Sequence, residues 1–343
     1  MSLTELTRQL LSGEHLTEQQ AAAAALAILR EEASPVQVAA FLTALQMRGE
    51  TVNELVGFAE VLRNLAEPFQ APPGVVLDTC GTGGDHSGTF NISTAVAFVV
   101  AGAGVKVAKH GNRSVTSKCG SADVLVGLGM RIDSTTQLME RALREIGICF
   151  LFAPQYHKAM RAVASIRPQL GFRTIFNMLG PLINPARATH QLIGVFSARC
   201  AELYTSALVR LGTRRALVVH GSDGLDEIST TAPTYVAEVR DGHVNVSVVT
   251  PEDFGFTRVR MEALHGGTAE ENAATIIEVL SGAEGPKTDI VLLNAGAALY
   301  VAEQADSIEE GIAAARESIR SGAALAKLHQ LRELMNTEEG PSQ

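Results

Sequence analysis

The sequence predicts an α/β protein, with a small all-helical domain over residues 1–70. A large domain over 75–343 follows, with a mostly parallel central sheet flanked by helices. Three observations predict it. Residues 1–70 read as helices, Ala71-Pro-Pro-Gly74 breaks the pattern, and beyond it short β-rich runs alternate with longer helix-like segments. Such alternation marks βαβ units.

In chain order, Thr17-Glu-Gln-Gln20 and Thr51-Val-Asn-Glu54 are capping boxes, and Ser34-Pro35 sets a cap before a proline at the first helical position. Val75–Asp78, Val105–Lys109, Cys149–Phe152, Leu192–Phe196 and Ala216–His220 read as buried strands. Thr234–Val239 and Val244–Val249 flank Asp241-Gly242, a favourable hairpin turn pair. From Thr268 onward the segments are Ala-rich and helical.

At 343 residues, 46% hydrophobic and 19% charged, the chain can bury a large core, which excludes intrinsic disorder as its main state. Its four cysteines (Cys80, Cys119, Cys149, Cys200) form no CxxC pair and fit a reducing compartment. The start, MSLTELTRQL, lacks the charged and apolar regions of a secretory signal. Ala95–Val105, the longest apolar stretch, falls short of the ~20 residues a membrane helix needs. The expectation is a cytoplasmic protein with no membrane partner.

The net charge of −9 is unevenly spread. His86–Ala122 and Ile146–Ala201 contain no acid, although the second stretch should hold about six at the chain's own frequency. These 93 residues carry +10, leaving −19 on the other 250. Acid-free runs can simply mark buried segments, but here they also suit a small anion. Nucleic-acid binders show a basic face and high pI, whereas the pI here is about 5.5.

Val75-Val-Leu-Asp-Thr-Cys-Gly-Thr-Gly-Gly-Asp85 runs from a strand into a glycine-rich turn, with a helix beginning near Ser93. Gly81, Gly83 and Gly84 allow positive φ and close approach of a ligand to the backbone. Amides in such a turn, with a helix N-terminus behind them, favour an anion. GxGxxG fails because position 86 is His86, and a Walker loop fails because position 89 is Thr89. Alone, such a loop is as often a mere turn. The next strand, however, leads into Lys106-Val-Ala-Lys-His-Gly-Asn-Arg-Ser-Val-Thr-Ser-Lys118. Loops at the carboxyl ends of neighbouring parallel strands share a crevice.

These motifs resemble the anthranilate phosphoribosyltransferase family. The likeness covers Asp78–Asp85, Asn91–Thr94, Lys109–Arg113, Arg167–Pro181, Gly224-Leu-Asp-Glu227 and Asn294–Tyr300, in order across nearly the whole chain. It implies a nucleoside phosphorylase/phosphoribosyltransferase type of fold. The implied reaction moves ribose 5-phosphate from phosphoribosyl pyrophosphate to anthranilate, in tryptophan biosynthesis.

By this resemblance, Gly81, Gly83, Gly84, Asp85, Thr89, Asn91, Ile92, Ser93 and Thr94 hold phosphoribosyl pyrophosphate. So do Lys109, His110, Gly111, Asn112, Arg113, Ser114, Ser117 and Ser121. On position alone, His110 reads rather as a core or supporting histidine. Mg²⁺ is implied on Asp226 and Glu227 with Ser93, since the ion favours one or two carboxylates plus substrate oxygens and waters. Arg167 is implied for the anthranilate carboxylate, with Gly81 and Asn112 between the two ligands. Arg161 and Arg173 are given to structure or to the pyrophosphate side, and Pro154–His157 to the pocket wall. The resemblance also implies a homodimer through the helical domain, which helices from about 165–190 complete.

Two positions depart from the family pattern, Lys158 for proline and Cys119 for serine or glycine. No covalent nucleophile or general base is named, because the aniline nitrogen is already a neutral nucleophile. The competing readings are a pyrimidine nucleoside phosphorylase and a transferase-like relative that binds nucleic acid. The intact Lys109–Arg113 and Arg167–Pro181 blocks disfavour the first, and the −19 outside the acid-free segments disfavours the second.

Overall fold

The computed structural model describes residues 1–84, 87–114 and 119–337. Four helices open it: α1 (Leu3–Leu11), α2 (Glu18–Leu29), α3 (Pro35–Arg48) and α4 (Val52–Leu65). Each is launched by a capping box, including the two expected at Thr17 and Thr51, and Pro35 opens α3 as expected. The chain then alternates through β1 (Val76–Gly81), α5 (Ile92–Gly102), β2 (Lys106–Gly111), α6 (Ser121–Gly127), α7 (Thr136–Glu145) and β3 (Ile148–Phe152). Short helical turns follow, α8 (Ala153–Tyr156), α9 (Arg161–Ala164) and α10 (Ile166–Leu170). The rest comprises β4 (His190–Gly194), α11 (Ala198–Arg210), β5 (Arg215–Gly221), β6 (Thr234–Arg240) and β7 (His243–Val249). Four helices close the chain: α12 (Ala269–Leu280), α13 (Pro286–Val301), α14 (Ile308–Arg320) and α15 (Ala323–Thr337).

The strands form one sheet in the order β3-β2-β1-β4-β5-β6-β7. The first five are parallel, and β6 and β7 add an antiparallel hairpin. Its turn residues Asp241 and Gly242 both have positive φ, 47° and 80°, as a two-residue hairpin turn requires. Side chains alternate across the sheet with period two. Leu192, Leu217 and Val219 face a core shared with α5–α7 and α12–α15. Ile193, Ala216 and Val218 face the other core, shared with α1–α4, α11, Val163, Ile166 and Phe176.

Strand order runs outward in both directions from the neighbours β1 and β4. In an open α/β sheet, the crevice beyond the carboxyl ends of such a pair is where ligands bind.

Candidate active site

At that switch point Gly81 of β1 is paired with Gly194 of β4. The residue needing their smallness is Asp226, on the loop after β5. A Cβ at Gly81 would stand 2.5 Å from Asp226 Oδ2, and one at Gly194 would overlap the Asp226 backbone carbonyl. Asp226 Oδ2 accepts the Gly83 N–H at 3.1 Å. Asn294 of α13 braces this loop, since its Oδ1 accepts the Ile228 N–H at 2.8 Å and its Nδ2 donates to Ile228 O at 2.9 Å. Glu227 is partly buried beside Asp226.

On the other side of β1 the sheet splits. Backbone pairing of β1 with β2 ends at Leu77–Val107, although the strands run on to Gly81 and Gly111. Side chains fill the gap. Asp78 Oδ1 accepts the His110 N–H at 3.1 Å, and Asn184 Nδ2 donates to Asp78 Oδ2 and to Ala108 O, both at 2.8 Å. Residues 108 and 110 are thus gripped on either side of Lys109. Its Nζ donates to Thr79 O at 2.5 Å and to Ser93 Oγ at 3.2 Å. Burial pushes the Lys109 pKa down, while the carboxylates of Asp78, Glu227 and Asp226 pull it up. Burial pushes Asp78 up, with Lys109 opposing.

The sequence brought Asp78 in only as part of a motif and missed Asn184. The available signal was a carboxylate inside an apolar strand, which must find partners when buried.

The helix after the glycine loop, α5, has Asn91 at its N-cap but no side-chain cap bond. Asn91 Nδ2 donates to Cys119 O at 3.2 Å and its Oδ1 accepts from Asn272 at 3.0 Å, so the first-turn amides are left without a side-chain oxygen. Ile92 and Thr94 are 2% and 1% exposed, so only their backbone can serve a ligand. Thr89 bridges to His265 and lies 3.3 Å from Ser87 Oγ.

Asp123 organises the basic loop. Its carboxylate accepts the amides of Ser114 and Gly120, at 3.0 and 2.9 Å, and pairs with Arg113 Nη1 at 3.0 Å. Burial pushes the Asp123 pKa up, but these partners outweigh it and hold it low. Asn112 O accepts from Ser121 Oγ at 3.3 Å and from Ala122 N at 3.1 Å. Gly111 ends β2 against Phe150 and Ser121, with no room for a Cβ. Asp85 and Ser117 lie outside the described residues.

His110 sits apart from the glycine loop. Its Nδ1 lies 3.2 Å from Gly180 O, and its ring meets His157 edge-on at 5.2 Å. Burial pushes His110 down to about 3 and His157 to about 4, so both are neutral near pH 7.

Arg167, on α10, is partly buried, and its guanidinium makes no hydrogen bond or ion pair with any described residue. Burial pushes its pKa down. Arg173 contacts the glycine loop directly, its Nη1 donating to Gly83 O at 3.1 Å.

Among the described residues no cluster of three or more His, Cys, Asp or Glu gathers to hold a metal. Asp226, Glu227 and Ser93 offer oxygen donors only. They are too few to enclose an ion but suited to Mg²⁺ that takes substrate oxygens and waters as its other ligands.

Residues 4–66 match the glycosyl transferase family helical bundle domain, and 73–325 match that family's a/b domain. The chain is 54% identical over 329 residues to anthranilate phosphoribosyltransferase of Rubrobacter xylanophilus, covering 96% of each protein. It is 42% identical to the solved enzyme of Thermus thermophilus, with a TM-score of 0.92 over 97% of this chain and 99% of that one. The Saccharomyces cerevisiae enzyme, solved in complex with PRPP (phosphoribosyl pyrophosphate) and Mg, has a TM-score of 0.91 at 30% identity and covers 98% of each chain. With two domain matches in order and identity at this level over the full length, the chain belongs to the anthranilate phosphoribosyltransferases of the glycosyl transferase family.

Proposed function

We propose that this protein transfers the 5-phosphoribosyl group from phosphoribosyl pyrophosphate to the amine of anthranilate, in the presence of Mg²⁺, releasing pyrophosphate. The donor would lie in the β1/β4 crevice against the glycine loop, the first turn of α5, Lys109 and the Asn112–Ser114 backbone. Asp226 and Glu227, with Ser93, would hold Mg²⁺, which when bound offsets negative charge on the diphosphate. The acceptor's carboxylate would pair with Arg167. The observation that carries the reading is this guanidinium, partly buried and without a counter-ion among the described residues, in a chain whose β1/β4 crevice gathers Lys109 and loop amides for a second anion.

As the ribose–oxygen bond breaks, positive charge grows on the sugar and negative charge on the departing pyrophosphate. Lys109 and the loop amides face that negative charge with little reorganisation, because Asp78 and Asn184 already fix the strand bearing Lys109. Arg167 holds the acceptor so that its amine reaches the anomeric carbon, a positional contribution. Burial and Asp78 push the Cys80 thiol well up, so it stays protonated and serves as no nucleophile.

No helix among the described residues is long and apolar enough to cross a membrane, and we place the protein in the cytoplasm. Leu11, Val36 and Met47 stand 70%, 78% and 81% exposed on the helical domain, which supports a homodimer through that face.

The deciding experiment follows anthranilate fluorescence with purified protein. The reading expects its loss only when phosphoribosyl pyrophosphate and Mg²⁺ are both present. Phosphate-dependent splitting of thymidine with no such loss would instead make the protein a phosphorylase.

A further inference from the structure

We propose that Arg173 is a positioning residue that aims a peptide N–H of the glycine loop at the diphosphate. The inference rests on the donor-site reading above.

The loop is tied from two sides. Gly83 gives its N–H to Asp226 Oδ2 at 3.1 Å, and its carbonyl accepts from Arg173 Nη1 at 3.1 Å. Across a trans peptide, the carbonyl and the following N–H point in opposite directions. Fixing the Gly83 carbonyl on the guanidinium therefore turns the Gly84 N–H away from Arg173, and that N–H has no partner among the described residues. Gly84 has φ +75°, and a Cβ there would overlap Arg173 Nη1, so the bare glycine is what lets the guanidinium reach the loop.

The guanidinium is itself immobilised. It lies 4.1 Å above the Phe196 ring, and its Nε and Nη2 are buried without a hydrogen-bond partner. Buried donors of a charged group cost free energy when unpaired, so its one side-chain hydrogen bond among the described residues, to Gly83, carries weight. With the Gln46 amide of α3 oriented so that its nitrogen faces the two acceptors around it, it donates to the Arg173 carbonyl at 2.7 Å and to Glu50 at 3.1 Å. A chain of contacts thus runs from the helical domain through Arg173 to the loop.

The test measures calorimetric binding of phosphoribosyl pyrophosphate with Mg²⁺, both Michaelis constants, and the melting temperature, for wild type, Arg173→Met and Arg173→Lys. Arg173→Met should weaken phosphoribosyl pyrophosphate about ten- to hundredfold, the range for losing a charge-assisted hydrogen bond. The KM for anthranilate should move little. Arg173→Lys should recover part of the loss, because an ammonium can still donate to Gly83 O. It also keeps the question open to measurement if the methionine variant does not fold.

A double-mutant cycle with Gly84→Ala separates this role from scaffolding. Removing the guanidinium removes the collision, so Gly84→Ala combined with Arg173→Met should lose less affinity than the product of the two single losses. Equal weakening of both substrates with a lowered melting temperature, or strictly multiplicative losses in the cycle, overturns the proposal. Failure of wild type to bind phosphoribosyl pyrophosphate would sink the donor-site reading instead. Wild-type binding with an equally tight Arg173→Met would sink this inference alone.

Discussion

The proposed donor and acceptor sides of the site differ in how their polar groups are occupied. On the glycine-loop side the ammonium of Lys109, the Gly83 peptide and the Arg113 guanidinium already have protein partners, and the Gly84 N–H is the donor left open. Lys109 is bonded to Thr79 and Ser93, Gly83 to Asp226 and Arg173, and Arg113 to Asp123. On the proposed acceptor side the Arg167 guanidinium has none among the described residues, and His110 and His157 beside Gly180 are neutral. The first side is held in shape by internal counter-groups, and on the proposed reading the diphosphate competes with them over many small contacts. On the same reading the second takes one carboxylate, so its affinity is concentrated in one pair. Substitutions on the loop side should therefore spread their effects, while those at Arg167 should fall on one substrate.

The largest effect should come from the acids over the β1/β4 crossing. Asp226→Asn with Glu227→Gln keeps size and removes two charges, and turnover should fall on the order of a thousandfold or more. Melting should change little, because the amide oxygen of the replacement at 226 can still accept the Gly83 N–H. Near-normal turnover of the double variant at ordinary Mg²⁺ would remove the metal from this loop.

Arg167→Ala is the sharper break. Truncating one member of a partly buried charged pair costs about 2–5 kcal/mol, or roughly 30- to several-thousand-fold. That loss should appear in the KM for anthranilate and hardly in that for phosphoribosyl pyrophosphate. Arg167→Lys should rescue only part, since the ammonium loses the two-pronged geometry. A parallel loss for both substrates with a lower melting temperature would mean that Arg167 ties the domains together, and the contrast between the two sides would collapse.

Local chemistry made most of the fold readable. Capping boxes, the Asp241-Gly242 turn and the alternating apolar runs are decided within a few residues. The structure has the caps and the turn where the sequence puts them, while strand bounds shift by up to three residues, β4 spanning His190–Gly194 instead of Leu192–Phe196 and β1 running on to Gly81. The stretch 153–189 was harder, because α8–α10 and the turns after them are too short to show a period. Site residues were legible where they lie in contiguous motifs, as Lys109 and Asp226 do. Long-range partnerships were not: Asn184 meets Asp78 across 106 positions, and Arg173 meets Gly83 across 90. No spacing encodes such contacts, and only the acid-free composition of 146–201 hints that its arginines seek partners elsewhere.

The glycine loop gives an intermediate test of the crowded side. Among the described residues, a Cβ at Gly83 would meet nothing within 4 Å, so a side chain there costs its φ of +60°, about 1–2 kcal/mol of stability for an ordinary residue and somewhat more for a β-branched one. Gly83→Val should therefore stay folded at moderate temperature. Its affinity for phosphoribosyl pyrophosphate should fall further than that strain explains, because the space it fills is where the diphosphate approaches. Unchanged binding by Gly83→Val would make the loop a plain turn.

The smallest effect concerns pH and the quiet side of the crevice. His110 and His157 have folded-state pKa values of about 3 and about 4, both driven down by burial. In the unfolded chain a histidine titrates near 6.5. Between those limits the unfolded state binds more protons, so stability rises with pH across the window. The histidines' contribution is fully present above about pH 6.5 and is lost as pH falls towards 4 and then 3. Asp78, raised by burial, works in the opposite direction at the acid end. From pH 7 to pH 5 the His157 share alone amounts to about 2 kcal/mol, or a few degrees of melting temperature. Calorimetry at the two pH values should show His157→Leu losing less on acidification than wild type. An identical drop in both proteins would mean that His157 is solvated in solution, and the neutral, dry character assigned to this side of the crevice would be wrong.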